Sequence, residues 1–203
     1  MTVRIGILLF DQVDLLDVGG PYEVFLTASR LVVRDGGEPP FEVVTLGAGA
    51  GPVAAFGGLR LTPQATLADC GHLDVFVVPG AIAIDEVILN EGLMSAVTPV
   101  AHDASVVASV CTGAFILGAL GLLSERSWTT HWEDVEDLAG RVGGRGRAWV
   151  RWVDTEEIVT AGGLSSGIAM SLHLVDRFEG RELAVKTARQ IEYDWDPGAT
   201  NRT

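Results

Sequence analysis

The window Ala108-Ser109-Val110-Cys111-Thr112-Gly113-Ala114 puts a thiol where an apolar, strand-like run passes straight into a helical pattern with no polar linker. A sharp turn is required there. Small residues on both sides of Cys111 let the backbone make one, projecting the sulfur above a sheet as serine is projected in hydrolases. A sulfur at a helix amino terminus also meets partial positive charge and free N–H groups, which favour thiolate. The same window equally fits a small buried apolar cysteine, the usual role of a free thiol, and alone it leaves the two readings open. Cys70, in Ala68-Asp69-Cys70-Gly71, has no such setting. The carboxylate of Asp69 beside it disfavours thiolate, so Cys70 is expected to be inert.

Two other junctions could serve the same site. Asp17 stands in Asp14-Leu15-Leu16-Asp17-Val18-Gly19-Gly20-Pro21, after one strand-like run and before a helical pattern. It could cap that helix through backbone N–H groups. At the same sheet edge as Cys111, its carboxylate could instead exchange protons with a substrate or hold the sulfur, and the presence of Cys111 favours this role. Val78-Pro79-Gly80-Ala81 closes another apolar run. A turn at Gly80 could aim the Ala81 N–H toward the pocket that the Thr112 N–H faces, two donors forming an anion hole. The Pro-Gly dipeptide by itself signals only a turn.

Gly163-Leu164-Ser165-Ser166-Gly167 competes with this reading, because it matches the GxSxG pattern of serine nucleophiles after a plausible strand. That pattern needs an acid and then a histidine downstream, whereas only His173 follows Ser165, on the same predicted helix. The segment is read as a glycine-rich helix start lining the pocket. His131, in Trp128-Thr129-Thr130-His131-Trp132, could act as a base toward Cys111, but a histidine packed among aromatics is the favoured reading.

These groups must be positioned by an alternating pattern of strands and helices. Apolar runs suited to strands occur at Val3–Phe10, Phe41–Leu46, Leu73–Val78, Val106–Val110 and Ile158–Ala161. Helical patterns cover Tyr22–Leu31 with Pro21 in its first turn, Glu91–Asp103 with a kink or restart at Pro99, Thr112–Leu123, Ser165–Phe178 and Glu182–Tyr193. Strands apolar throughout and separated by helices imply a mostly parallel sheet covered on both faces. Ala148–Val153 and Glu157–Ala161 read as a local hairpin pair. In such sheets reactive groups gather outside the carboxyl edge, the location of Asp17, Gly80 and Cys111.

The 203 residues suit one domain, taken as 1–193 with a polar tail at 194–203. Hydrophobic residues make up 48% and charged residues 20%, a globular composition with enough apolar surface for a packed core. A formal net charge of −13 disfavours nucleic acid and anionic membranes as partners. The basic cluster Arg141, Arg145, Arg147 and Arg151 reads as a solvated, glycine-rich loop. Ile5 to Phe10 is too short for a secretory signal, so a cytoplasmic location is expected. Two cysteines make no disulfide framework, and the four histidines show no HExxH spacing. His131-Trp132-Glu133 is half a deaminase signature without its cysteine pair. No metal and no cofactor are expected.

Ile5-Gly6-Ile7-Leu8-Leu9-Phe10, Leu16-Asp17-Val18-Gly19-Gly20-Pro21, Val78-Pro79-Gly80, Ser109-Val110-Cys111-Thr112-Gly113, Ala119-Leu120-Gly121-Leu122-Leu123, Thr129-Thr130-His131-Trp132 and Thr160-Ala161-Gly162-Gly163 follow one another in this order. With them the chain resembles the ThiJ/PfpI superfamily, of the class I glutamine amidotransferase-like kind, over nearly its whole length. Cysteine followed by threonine, and aspartate before Gly-Pro, look most like the isocyanide hydratases. They also resemble sensor-type domains attached to some AraC-family regulators. The resemblance implies a flavodoxin-like three-layer α/β sandwich with a cysteine nucleophile elbow, and a homodimer. It further implies a cofactor-independent lyase acting on a small molecule, hydrating an isocyanide to an N-formamide. Cys111 would form the adduct, Asp17 would serve as acid/base, and Thr112, Ala81 and Gly80 would line the substrate or oxyanion position.

Two departures qualify this. The hydratase-like turn commonly reads Pro-Gly-Gly, and here it is Pro79-Gly80-Ala81. Protease-like members place histidine after the cysteine, where this chain has Thr112, which disfavours peptidase activity. Glyoxalases and deglycases usually carry glutamate at the early acidic position, so with Asp17 they are runners-up, beside a stand-alone ligand or redox sensor. The ten residues after Tyr193 leave no room for a helix-turn-helix module.

Overall fold

The structure is a computed structural model, and it describes residues 2–196. In chain order the elements are β1 (Val3–Leu9), α1 (Leu15–Arg34), β2 (Phe41–Gly47), β3 (Val53–Ala54), β4 (Arg60–Leu61), β5 (Ala65–Thr66), β6 (Val75–Val78), α2 (Ile84–Ile88), α3 (Glu91–Asp103), β7 (Val106–Val110), α4 (Gly113–Ala119), β8 (Ser127–Trp128), α5 (Val135–Val142), β9 (Arg145–Gly146), β10 (Trp152–Asp154), β11 (Ile158–Ala161), α6 (Ser166–Glu179) and α7 (Arg181–Gln190). The seven-stranded central sheet has the order β10-β11-β7-β6-β1-β2-β5. Every pairing in it is parallel except the edge pair of β10 with β11.

Strands β6, β7 and β11 are buried along their whole length, as strands with helices on both faces must be. On one side α1, α6 and α7 pack together, and α2 to α5 form the second helical layer. The result is the mostly parallel, three-layer α/β architecture read from the strand spacing. No helix among the described residues is long and apolar enough to cross a membrane.

Several boundaries differ from the sequence expectation. Helix α1 starts at Leu15, about two turns before the expected start, because the Asp14 carboxylate accepts the Leu16 N–H at 3.3 Å and caps it there. Asp17 is therefore inside the first turn, and Pro21 is inside the helix. Helix α3 runs unbroken through Pro99, anchored by buried Leu93, Val97, Val100 and Ala101 on its inner face. Helix α4 ends at Ala119, and Gly121, with φ at 76°, turns the chain away. Arg141 belongs to α5 and pairs with Asp137 and Asp85, so it does not lie in a solvated loop. The expected tail at 194–203 falls mostly outside the described residues.

Candidate active site

Strands β1 and β6 are adjacent and parallel, yet the chain leaves β1 toward β2 and leaves β6 toward β7, on opposite sides. Such a reversal opens a crevice at the carboxyl ends of the strands. Asp17 follows β1, Gly80 follows β6 and Cys111 follows β7, so the fold delivers all three to that edge.

Cys111 occupies the left-handed region with φ at 56°. For a residue with a side chain this conformation stores strain of order 1 to 3 kcal/mol, and the surroundings hold it. Its N–H is shared between the carbonyls of Ala161 and Gly162, each at 3.2 Å, and its own carbonyl accepts the Thr130 hydroxyl at 2.8 Å. Gly113 makes the turn possible. A Cβ there would strike the Val78 carbonyl oxygen, so only glycine lets the start of α4 settle against the end of β6.

Asp17 is fully buried. Its Oδ2 accepts the Gly80 N–H at 3.0 Å, while Oδ1 has no hydrogen-bond partner. Burial pushes its pKa up to about 7, with the Asp14 charge adding to the rise; the N–H groups of Gly80 and Leu164 pull the other way. Leu164 approaches closely enough to act electrostatically without meeting Oδ1 in bonding geometry.

The Cys111 thiol is pushed up to about 12, first by burial and next by the Asp17 charge, against the N–H groups of Thr112 and Leu164. This reverses the expectation that a helix amino terminus would favour thiolate. Helix α4 has only seven residues, and its pull is weaker than desolvation beside a carboxylate. The pair is coupled: once Asp17 takes up a proton, the second cause of the rise at Cys111 disappears.

The expected pair of anion-hole donors is only half present. The Ala81 N–H is donated to Thr112 Oγ1 at 2.9 Å, and the Thr112 hydroxyl donates to the Ala81 carbonyl at 2.7 Å. This two-way clamp joins the β6 and β7 turns, leaving the Thr112 N–H to face the sulfur. Gly80 fits between them, since a Cβ there would come within 2.5 Å of Thr112 Oγ1 and 3.1 Å of Asp17 Oδ2.

The donor not singled out from sequence is the backbone N–H of Leu164, which acts on both Asp17 and Cys111. Leu164 has φ at 48°, a second strained residue at the same site. Its only sequence signal was the Gly163–Gly167 turn. Ser165 and His173 do not come together: His173 pairs with Asp154 at 2.7 Å and stacks on Trp152. His131 packs its ring on Gly163 and turns Nδ1 to Asp134 at 3.4 Å, on the wall that carries Leu164. Among the described residues, no group of three or more His, Cys, Asp or Glu could hold a metal ion.

A cysteine on a strained strand-to-helix turn, above a mostly parallel sheet and beside a buried carboxylate, defines an elbow-type α/β protein. The DJ-1/PfpI family profile matches residues 3–177, and the chain belongs to that family. It is 34% identical over 195 residues to the isonitrile hydratase of Pseudomonas putida, spanning 95% of this chain and 79% of the relative. It is 27% identical to the HTH-type transcriptional regulator GbdR of Pseudomonas aeruginosa over 94% of this chain, but that match spans only half of the regulator. A THiJ/PfpI family protein from Pseudomonas syringae superposes with a TM-score of 0.83 at 25% identity, covering 98% of this chain and 78% of that one.

Proposed function

We propose that this protein hydrates isonitriles to N-substituted formamides, with Cys111 as nucleophile and Asp17 as the group that moves protons. One observation carries the reading: among the described residues, the only acid fully buried beside the sulfur, Asp17, has a pKa raised to about 7, where it can both accept and release a proton near neutrality. The similarity to the Pseudomonas putida isonitrile hydratase supports it.

Because the thiol is held protonated, attack requires a base. Ionised Asp17 takes the Cys111 proton as sulfur bonds to the terminal carbon of the isonitrile. Protonated Asp17 then returns that proton to the same carbon, leaving a thioformimidate, R–N=CH–S–Cys111. Water adds to this carbon, with Asp17 accepting its proton and passing it to nitrogen. The carbon–sulfur bond breaks, the departing sulfur takes the hydroxyl proton, and R–NH–CHO leaves with the thiol restored. The N–H groups of Thr112 and Leu164 stabilise charge on sulfur during both transfers. The test is formamide production from alkyl and aryl isonitriles by purified protein. Formamide formation with a mass adduct trapped on Cys111 supports the mechanism; no formamide from any isonitrile removes it.

A second reading, recognition of a small molecule without turnover, is favoured by the thiol's high pKa and the similarity to a transcriptional regulator. Binding of an isonitrile without product would select it.

A further inference from the structure

A cleft of about 680 Å³ opens between the segment after β1, the turn after β2 and the region from α2 to the start of α3. Phe10, Asp11, Gln12, Val53, Glu86 and Leu93 are among its walls, whereas Cys111, Asp17 and Thr112 are not. Its size falls in the range of pockets that take small organic ligands. It borders the same carboxyl edge of the sheet where chain direction reverses, the usual place for ligands in open α/β folds.

The lining has one sign of charge. Asp11 and Glu86 are its ionisable side chains, and the remaining wall is apolar or amide. Part of the polar wall is also held in advance, while Glu86 stands exposed at the cleft. Asp11 Oδ1 accepts the Ala54 N–H at 2.8 Å, the Gln12 N–H reaches the Ala54 carbonyl at 2.7 Å, and Asn90 is fixed as the cap of α3 through the Leu93 N–H at 3.1 Å. Gln12 itself sits at φ 68°, a strained conformation in the cleft wall. A site whose groups are already ordered loses less entropy when a ligand enters.

We propose that this cleft is a second ligand site, taking a small organic cation with a primary ammonium or guanidinium group on a short apolar body. The cationic head pairs with Asp11 and Glu86, while Phe10, Val53 and Leu93 cover the apolar part. An anion meets two like charges on a chain of net charge −13. A neutral ligand strips water from two carboxylates without supplying a counter-charge. The site does not depend on the hydratase reading, since none of the residues of that chemistry line it.

Calorimetric titration with n-butylammonium chloride tests it, with n-butanol as the neutral probe and sodium butyrate as the anionic one. Saturable binding is expected for n-butylammonium alone, weakened at least about tenfold by Glu86→Gln through loss of a charged partner. Asp11→Asn, which keeps an oxygen for the Ala54 N–H, is expected to do the same with an unchanged melting temperature. Absence of saturable binding, equal binding of n-butanol, or full affinity in both variants would overturn the proposal. So would loss of binding in Asp17→Asn with full affinity in Glu86→Gln, which would assign the cation to the Cys111 pocket.

Discussion

The two cysteines occupy contrasting surroundings. Cys70 is held by its own loop, its thiol donating to the Leu67 carbonyl at 3.2 Å and lying 3.3 Å from that of Gly71. It is buried, and desolvation raises its pKa, helped by the Asp103 and Asp69 charges. Cys111, at the end of β7, is pushed up to about 12 by desolvation and the Asp17 charge, yet remains partly open to solvent. Acidity therefore does not separate the two thiols, because desolvation pushes both the same way. What separates them is a partner: Cys111 has a fully buried carboxyl whose pKa lies near neutrality, and Cys70 has none.

The largest effect expected from this contrast is on turnover. Cys111→Ala abolishes formamide formation because no adduct can form, while Cys70→Ala leaves it nearly unchanged; product chromatography on both variants checks this. An active Cys111→Ala protein would sink the mechanism. Asp17→Asn is expected to lower the rate by roughly 100- to 10,000-fold while retaining the pocket's shape. In the wild type, kcat/KM should rise as pH climbs through about 7, since only ionised Asp17 can accept the thiol proton. A flat profile between pH 6 and pH 8, as ordinary assay limits of about one unit either side, would break the link to Asp17.

The same substitution should stabilise the fold. The folded-state pKa of Asp17 lies above its ordinary value, so folding favours the protonated form, and stability falls as pH rises from the ordinary 3.8 through about 7. Asp17→Asn removes a penalty of about 4 kcal/mol at alkaline pH, read as a higher melting temperature at pH 8 with a much smaller difference at acid pH.

Alkylation sharpens the comparison further. Iodoacetamide should label Cys111 before Cys70 in the folded protein, because Cys111 is the more open of the two. Labelling of Cys111 at alkaline pH should be faster in Asp17→Asn, which lacks the charge that opposes thiolate. Peptide mapping reads both, and Cys70 labelling first would contradict the contrast. The smallest effect concerns the turn: Gly113→Ala should destabilise by roughly 1 to 3 kcal/mol through collision with the Val78 carbonyl, measured by urea unfolding.

The amino-acid order was enough to read the strand and helix alternation, because β6, β7 and β11 are apolar at every position and no other arrangement buries both faces. It was also enough to place Cys111 on a sharp turn, since a strand running into a helix across Cys-Thr-Gly leaves no room for a linker. Local chemistry carried those readings. Helix starts were less legible: the local sequence suggested Asp17 as a possible cap, and only the three-dimensional path showed that Asp14 takes the role. That freed Asp17 to point inward and be stripped of water.

Tertiary structure alone decided the electrostatics. A helix amino terminus beside a cysteine predicts a thiolate from local geometry, but desolvation depends on everything packed around it, and here it wins. The same holds for the donors. Ala81 N–H is claimed by Thr112, and Leu164, fifty-three positions after Cys111, supplies the N–H that acts on both Asp17 and Cys111. Sequence determined which residues meet at the carboxyl edge, because parallel strands joined through helices all end at that edge. Which of their hydrogen-bond groups stay free, and which proton sits where, depends on contacts between segments that only the folded chain brings together.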